Sequence, residues 1–381
     1  MRSRERLLCA MRREAPDHVP FWNLWRARDA PFDYRNQVRR AEAVLALGLD
    51  DTLLLQPPLN KTEHYEAGLA PWVVGRCRTR RGSDGPLLVQ EWRTPAGTLR
   101  QVVRRTHDWP HGRHVRLFSD HNVSRSIEFP VADEEDLARL AWLLGDPSPE
   151  QIRGFRDRAA RLRREADRLG VVLEGGWTAL GDAALWLLGT EALLFGQVDR
   201  PELVEALLDV VWRWEMRRVE LLLDEGVDVI VHSAWYECTD FWTPTAFRRH
   251  LKPRLRRLVD AVHQAGALVS YIITTSWGPL LDDLVDIGID SLIGVDPVQG
   301  KAPLAWVREH ASGRLCLWGG VNGAVTLGRG TPAEIERATS DAIATLGPGG
   351  GFVLHAVDQV VADTPWSNVE AMIRAWRATT G

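Results

Sequence analysis

The chain has 381 residues, 45% hydrophobic and 26% charged, enough to bury one large α/β core and too apolar for a disordered chain. A net charge of −4, with basic residues dispersed as in RDRAARLRREADR (156–168), excludes a phosphate-tracking surface and with it nucleic acid as a partner. No apolar run is long enough for a membrane span, the N-terminal MRSRERLLCAMRRE lacks an apolar signal core, and four scattered cysteines (Cys9, Cys77, Cys238, Cys316) form no CxxC pair, so a reduced, cytoplasmic protein is expected.

In chain order, eight short apolar runs alternate with helical patterns: HVPFWNLW (18–25), DDTLLLQ (50–56), GVVLEGG (170–176), VDVIVHS (227–233), ALVSYII (267–273), DSLIGVD (290–296), RLCLWGG (314–320) and GGFVLHA (350–356). None shows the polar alternation of a half-exposed strand, the pattern of parallel strands covered on both faces. Amphipathic segments at 244–266 and 331–347 separate later runs, with Thr243 and Thr331 as N-caps ahead of Pro and Gly266 and Gly347 as stops. Eight such units predict a single (β/α)8 TIM barrel filling residues 1–381. Residues 57–150 break the rhythm with β-rich runs and turn signals at Gly82–Gly85 and Pro95–Gly97, which predict an antiparallel β insertion between strands 2 and 3 that caps the barrel mouth. Two helices then lead back, the second capped by Ser148.

In a barrel of this kind reactive groups gather at strand C-termini and in the loops beyond them. That rule selects Trp25 and Arg26 after the first run, Asp51 at the second, and Glu174 and Trp177 after the third. It then takes His232, Ser233, Trp235, Tyr236, Glu237 and Cys238 after the fourth, Tyr271, Thr274 and Trp277 after the fifth, Trp318 after the seventh, and His355 and Asp358 after the eighth. Of the 17 tryptophans, Trp22, Trp25, Trp177, Trp235, Trp242, Trp277 and Trp318 share this address, which predicts a pocket for an aromatic, apolar or onium ligand; taken singly, each reads as packing. His232, Glu237, Cys238 and His355 offer imidazole, carboxylate and thiolate donors for a divalent metal such as zinc, while a lone histidine at a strand end is more often a hydrogen-bonded structural residue. Asp51 beside an apolar strand is either a functional carboxylate or half of a salt bridge to an arginine such as Arg26. The histidine-rich stretch 97–121 matches no ligand spacing; it reads as a solvated hairpin, the alternative being a site in the cap for an anionic substrate or partner.

Several stretches resemble the uroporphyrinogen decarboxylase superfamily, which includes cobalamin-dependent methyltransferases. They are RERLLCAMRREAPDHVPFW at the start, TPAGTL (94–99), GTEALLFGQVDRPELVEALLD (189–209), LWGGVNG (317–323), RGTPAEIE (329–336) and GPGGGFVL with DTPWSNVEAM (347–372). The resemblance spans the whole chain and implies a TIM barrel with a deep site at the strand C-termini and a homodimer. It matches Asp51 and Ser233 to decarboxylase residues and tips Asp51 towards function. The decarboxylase carboxylate-gripping arginines are replaced by Trp25 and Asp29, so a substrate with eight carboxylates is not expected. The methyltransferase zinc positions fall on Ile272, Thr274 and Asp358, which supply no thiolate.

The expectation is an enzyme that transfers a methyl or other small group in an aromatic-lined pocket, with a small-molecule substrate and a corrinoid carried by a partner protein. Asp51, His232 and Asp358 are its catalytic groups. Trp25, Arg26, Trp177, Ser233, Trp235, Tyr236, Tyr271, Thr274, Trp277 and Trp318 are its substrate contacts. The alternatives are a carboxy-lyase acting on a smaller carboxylated substrate and a ligand-binding barrel without chemistry.

Overall fold

Seven of the eight apolar runs are strands of one parallel sheet in the computed structural model, which describes residues 1–23, 27, 29–58, 74–82, 85–358 and 360–379. In chain order the strands are β1 (Thr52–Leu55), β2 (Val74–Gly82), β3 (Gly85–Thr94), β4 (Gly97–Arg104), β5 (Ser126–Glu128), β6 (Val172–Ala179), β7 (Val229–Ser233), β8 (Leu268–Ile272), β9 (Ser291–Val295), β10 (Cys316–Asn322) and β11 (Phe352–Val357). The parallel sheet runs β1-β6-β7-β8-β9-β10-β11 and curls; β2 to β5 form a separate antiparallel sheet.

The first apolar run supplies a bridge in place of a full strand. Phe21 pairs with Leu354 in β11, with Trp22 N donating to Leu354 O at 3.2 Å and Leu354 N to Pro20 O at 2.8 Å. Its other side meets the residue before β1's neighbour: Asp50 N donates to Phe21 O at 2.9 Å, and Phe21 N returns to the Asp50 carboxylate at 3.1 Å. Residues 20–22 are thus hydrogen-bonded to both edges of the curled sheet.

Side chains alternate between two apolar layers, as the strand period of two requires. One set (Leu173, Ile230, Val269, Tyr271, Leu292, Leu317, Leu354) packs under the surrounding helices. The other (Val172, Val229, Val231, Ile272, Ile293, Trp318, Val353) faces inward and meets Leu7, Ala10 and Met11 of the N-terminal helix Ser3–Met11. That helix closes the end of the sheet where the strands begin. Arg4 pairs with Asp228 ahead of β7, and Arg6 with Asp50 ahead of β1 at 2.8 Å. The inner space, here called the lumen, is therefore plugged at the strand N-termini.

The helix starts follow the sequence. Thr243, Thr331 and Ser148 each accept a backbone N–H as N-cap, with Pro next in line. The antiparallel strands fall between β1 and β6 in the chain, and the Pro95–Gly97 turn joins β3 to β4. Phe118, from the segment after β4, stacks on Trp214 with centroids 4.8 Å apart. Asp120 accepts the Trp186 indole N–H at 2.7 Å and the Tyr236 hydroxyl, tying this region to the loops beyond β6 and β7.

Candidate functional site

Two polar clusters form on opposite faces of the sheet, one at the strand C-termini and the other deeper along the strands. On the outer face His232 is the penultimate residue of β7 and Tyr271 lies beside it on β8, their rings stacked at 5.3 Å and 12°. His232 Nδ1 meets Thr178 Oγ1 at 2.7 Å, and Nε2 meets Glu237 Oε1 at 3.1 Å. Glu237 also accepts Gly181 N at 2.6 Å and the Tyr271 hydroxyl. A Cβ at Gly181 would come within 2.7 Å of Glu237, so only glycine allows that approach. Burial pushes the Glu237 carboxyl up, but the His232 charge and the bonds from His232, Tyr271 and Gly181 outweigh it and hold the carboxyl below its usual range. Burial and the Glu237 charge push the Tyr271 phenol well up. All four side chains are enclosed. Each of the four side chains in the cluster is bonded to another member of it, as buried polar groups require.

The inner face carries a different set. Trp22, Trp318 and His355 pack together, Trp22 edge-on to Trp318 at 5.1 Å and 5.4 Å from the imidazole. Burial lowers the His355 imidazole to about 4, against the opposing effect of its bonds to backbone at Trp22 and Asp358. The Trp22 indole donates to Thr52 Oγ1 at 3.1 Å, which leaves the Thr52 hydroxyl to donate to Glu174. Glu174 follows Val172 on the inward side of β6 and is only 7% exposed. Burial pushes its carboxyl up to about 7, the bond from Thr52 opposes this, and the Asp51 charge adds to it. A carboxyl with that value can give or take a proton at neutral pH. Above it, Trp177 and Trp235 stand 5.7 Å apart, half-buried and packed against the lumen layer. The Trp235 indole donates to Asp358, whose carboxyl is raised by its crowded surroundings and by the Asp296 charge. Ser233 shares the inward parity of Val229 and Val231, and its hydroxyl is buried without a partner.

The placement of the predicted residues follows from this division. Trp177, Trp235, Ser233 and Asp358 come together at the lumen mouth; Trp318 and His355 lie deeper on the same face. His232, Glu237 and Tyr271 sit on the outer face because strand alternation turns them there. The four expected metal donors therefore do not converge. His355 is separated from His232 and Glu237 by the sheet, and Cys238 turns to Asp240 at 3.7 Å and Thr275 at 3.8 Å with its thiol raised by burial. Among the described residues no three His, Cys, Asp or Glu side chains gather as metal ligands. These residues do not fit a zinc ion. Asp51 lies at the N-terminal end of β1, gripped by Arg40 at 2.8 and 3.2 Å, on the plugged side of the sheet. Of the two readings of Asp51, a functional carboxylate or half of a salt bridge to an arginine such as Arg26, the structure shows a salt bridge, and the arginine is Arg40. Tyr236 bonds to Asp120, Thr274 is half-buried at the rim, and Trp277 is buried in a neighbouring cleft. Trp25 and Arg26 lie outside the described residues.

Glu174 is the group that sequence reasoning placed on the rim without assigning it a role. Its signal was legible: one carboxyl inside the run VVLEGG, two residues from Val172 and so on the same face.

A parallel α/β sheet with its ionisable inner groups at and below the C-terminal mouth defines the class. The sequence profile of the uroporphyrinogen decarboxylase (URO-D) family matches residues 115–379, and the chain belongs to that family. It is 24% identical to the uroporphyrinogen decarboxylase of Methylobacillus flagellatus over 278 residues, covering 71% of this chain and 75% of that one. It is also 24% identical to the methylcobamide:CoM methyltransferase of Methanosarcina barkeri over 217 residues, covering 57% and 61%. Among solved structures, a methyltransferase from Methanosarcina mazei superposes over 100% of both chains with TM-score 0.60 and 19% identity. A B12-independent methionine synthase from Shewanella gives TM-score 0.52 at 10% identity over 95% of this chain and 97% of that one. Among the described residues no helix is long and apolar enough to cross a membrane.

Proposed function

We propose that this chain is a group-transfer enzyme of the URO-D family that moves a methyl or similarly small group to or from a small molecule held in the lumen mouth. Glu174 is the proton-exchanging residue in this reading. The observation that carries it is a lumen carboxyl raised to about 7 beneath a mouth walled by Trp177 and Trp235. When an acceptor X–H is methylated, the bond from the donor to carbon breaks and X–CH3 forms; the X–H proton passes to the Glu174 carboxylate. In the reverse direction protonated Glu174 returns that proton to X as the methyl group leaves. The indole faces hold an apolar or onium portion of the substrate, Asp358 and Ser233 offer polar contacts at the rim, and His355 keeps the floor neutral. No step is routed through a metal, because the donor set does not converge.

The same proposal takes the curled sheet as a closed (β/α)8 barrel, supported by the hydrogen bonds of residues 20–22 to both sheet edges. It takes 57–150 as a cap over the mouth, supported by the bonds of Asp120 to Trp186 and Tyr236.

The test offers methylcobalamin with thiol, amine and phenol acceptors and follows methylated product. Glu174→Gln should lower turnover at pH 7 by about 100-fold or more while circular dichroism stays unchanged; full turnover in that variant removes Glu174 from the mechanism. A second reading, a carboxy-lyase, is favoured by the same partial protonation at neutral pH, since a neutral carboxyl can protonate the carbon that loses carbon dioxide. Carbon dioxide release from small aromatic carboxylic acids, without methylated product, would select it.

A further inference from the structure

Beside the lumen mouth lies a second cavity of about 670 Å3, between the segments that follow β7, β8 and β9. None of Glu174, Trp177, Trp235 or Asp358 lines it. Its size is that of a small-molecule site, and its lining divides into three chemical parts. Trp306, with Pro279 and Pro303, makes an apolar side; its indole is braced by stacking on His310 at 4.6 Å and by Trp277 at 5.7 Å. Asp240 is the one acid of the lining and Lys301 the one base, both exposed to solvent. Gln299 accepts Asn322 Nδ2 with its oxygen at 3.0 Å, which leaves its amide N–H groups to donate.

Backbone conformation sets this cavity apart from the surface around it. Among the described residues four non-glycines have positive φ: Arg13, Asp29, Ser276 and Lys301. Two of the four line this cavity, and they are the two that place its charges. Ser276, at φ 49°, donates its hydroxyl to Asp240 at 2.9 Å. Its carbonyl accepts the Thr239 hydroxyl at 2.8 Å, so the loops after β7 and β8 are laced together around the carboxylate. Lys301 itself sits at φ 51°, with the next residue's N–H fixed to Asp296 O at 3.0 Å. Left-handed conformations at non-glycine residues persist where the surroundings enforce them, and they concentrate at binding and catalytic sites.

We propose that this cavity binds the zwitterion of an α-amino acid with an apolar side chain, its ammonium on Asp240, its carboxylate on Lys301 and the Gln299 amide, and its side chain on Trp306. The site is separate from the lumen reaction and does not depend on it.

The chain has three lysines, Lys61, Lys252 and Lys301, so reductive methylation with 13C-formaldehyde, which keeps the positive charge, gives a spectrum in which Lys301→Arg identifies one resonance by its loss. L-phenylalanine should shift the Lys301 resonance saturably and leave that of Lys252, paired to Asp283 and Asp286, unmoved. By calorimetry, phenylacetate and phenethylamine, each with a single charge, should bind at least tenfold more weakly than phenylalanine. Asp240→Asn and Lys301→Gln should each weaken phenylalanine binding at least tenfold, and Glu174→Gln should not weaken it. The absence of a saturable Lys301 shift, equal affinity for phenylacetate, or full affinity in Asp240→Asn overturns the proposal.

Discussion

Glu174 and Glu237 are both buried glutamates, the first in the N-terminal half of β6 and the second just beyond the end of β7, yet their carboxyls are driven in opposite directions. Glu237 has a histidine, a phenol and a backbone N–H turned towards it and stays ionised. Burial raises Glu174 to about 7; one threonine hydroxyl and the Arg40 charge oppose the rise and the Asp51 charge adds to it. Enclosure alone therefore does not decide whether a buried acid is structural or reactive; the number and charge of its partners do. The satisfied acid faces the helices and the under-satisfied one faces the lumen.

That contrast can be broken most severely at Glu237. Glu237→Ala strands three hydrogen-bonding partners in a dry layer and should cost about 3–5 kcal/mol of stability, read by denaturant unfolding. Asp51→Asn should cost about 3 kcal/mol by freeing Arg40, with turnover per folded molecule retained. A large loss of turnover at unchanged stability would instead make Asp51 a functional carboxylate.

The pH dependence of stability sharpens the contrast. The folded state raises Glu174 from 4.5 to about 7, so its favourable contribution is complete below pH 4.5 and is lost as pH rises through 7. His355, lowered from 6.5 to about 4, acts in the opposite sense: its contribution is complete above 6.5 and is lost as pH falls through 4. The two nearly offset one another in wild type. Relative to wild type, Glu174→Gln should therefore gain about 3 kcal/mol in stability between pH 4.5 and 7, whereas a Glu237 variant should show its change only below pH 4.5, where the lowered carboxyl takes up its proton. Parallel unfolding curves for Glu174→Gln and wild type across that window would contradict the raised lumen carboxyl. The smallest effect is expected at Thr52→Val, which removes about 1 kcal/mol of hydrogen bonding and should move the Glu174 titration, followed by infrared carboxyl absorption, upward by less than one pH unit.

Much of this molecule could be read before it was seen. The eight apolar runs, the Thr243, Thr331 and Ser148 caps and the antiparallel excursion follow from local pattern, because burial on both faces and backbone capping leave local marks. Asp51 was misplaced although its run, DDTLLLQ, begins with the aspartates and so puts them at the strand's entrance. The outward turn of His232 and Tyr271 was harder to read: in strands apolar on both faces, alternation carries no polarity signal, and the bulge between Gly175 and Thr178 shifts the β6–β7 register just where His232 pairs.

The sequence alone determined that the chain makes parallel strands covered on both sides, that an antiparallel segment interrupts them, and which few side chains could carry chemistry. Tertiary structure decided which of those side chains share a face and which acid goes unsatisfied. Both depend on pairing register and on partners up to hundreds of residues away, such as Trp22 with His355, and no local pattern encodes that distance.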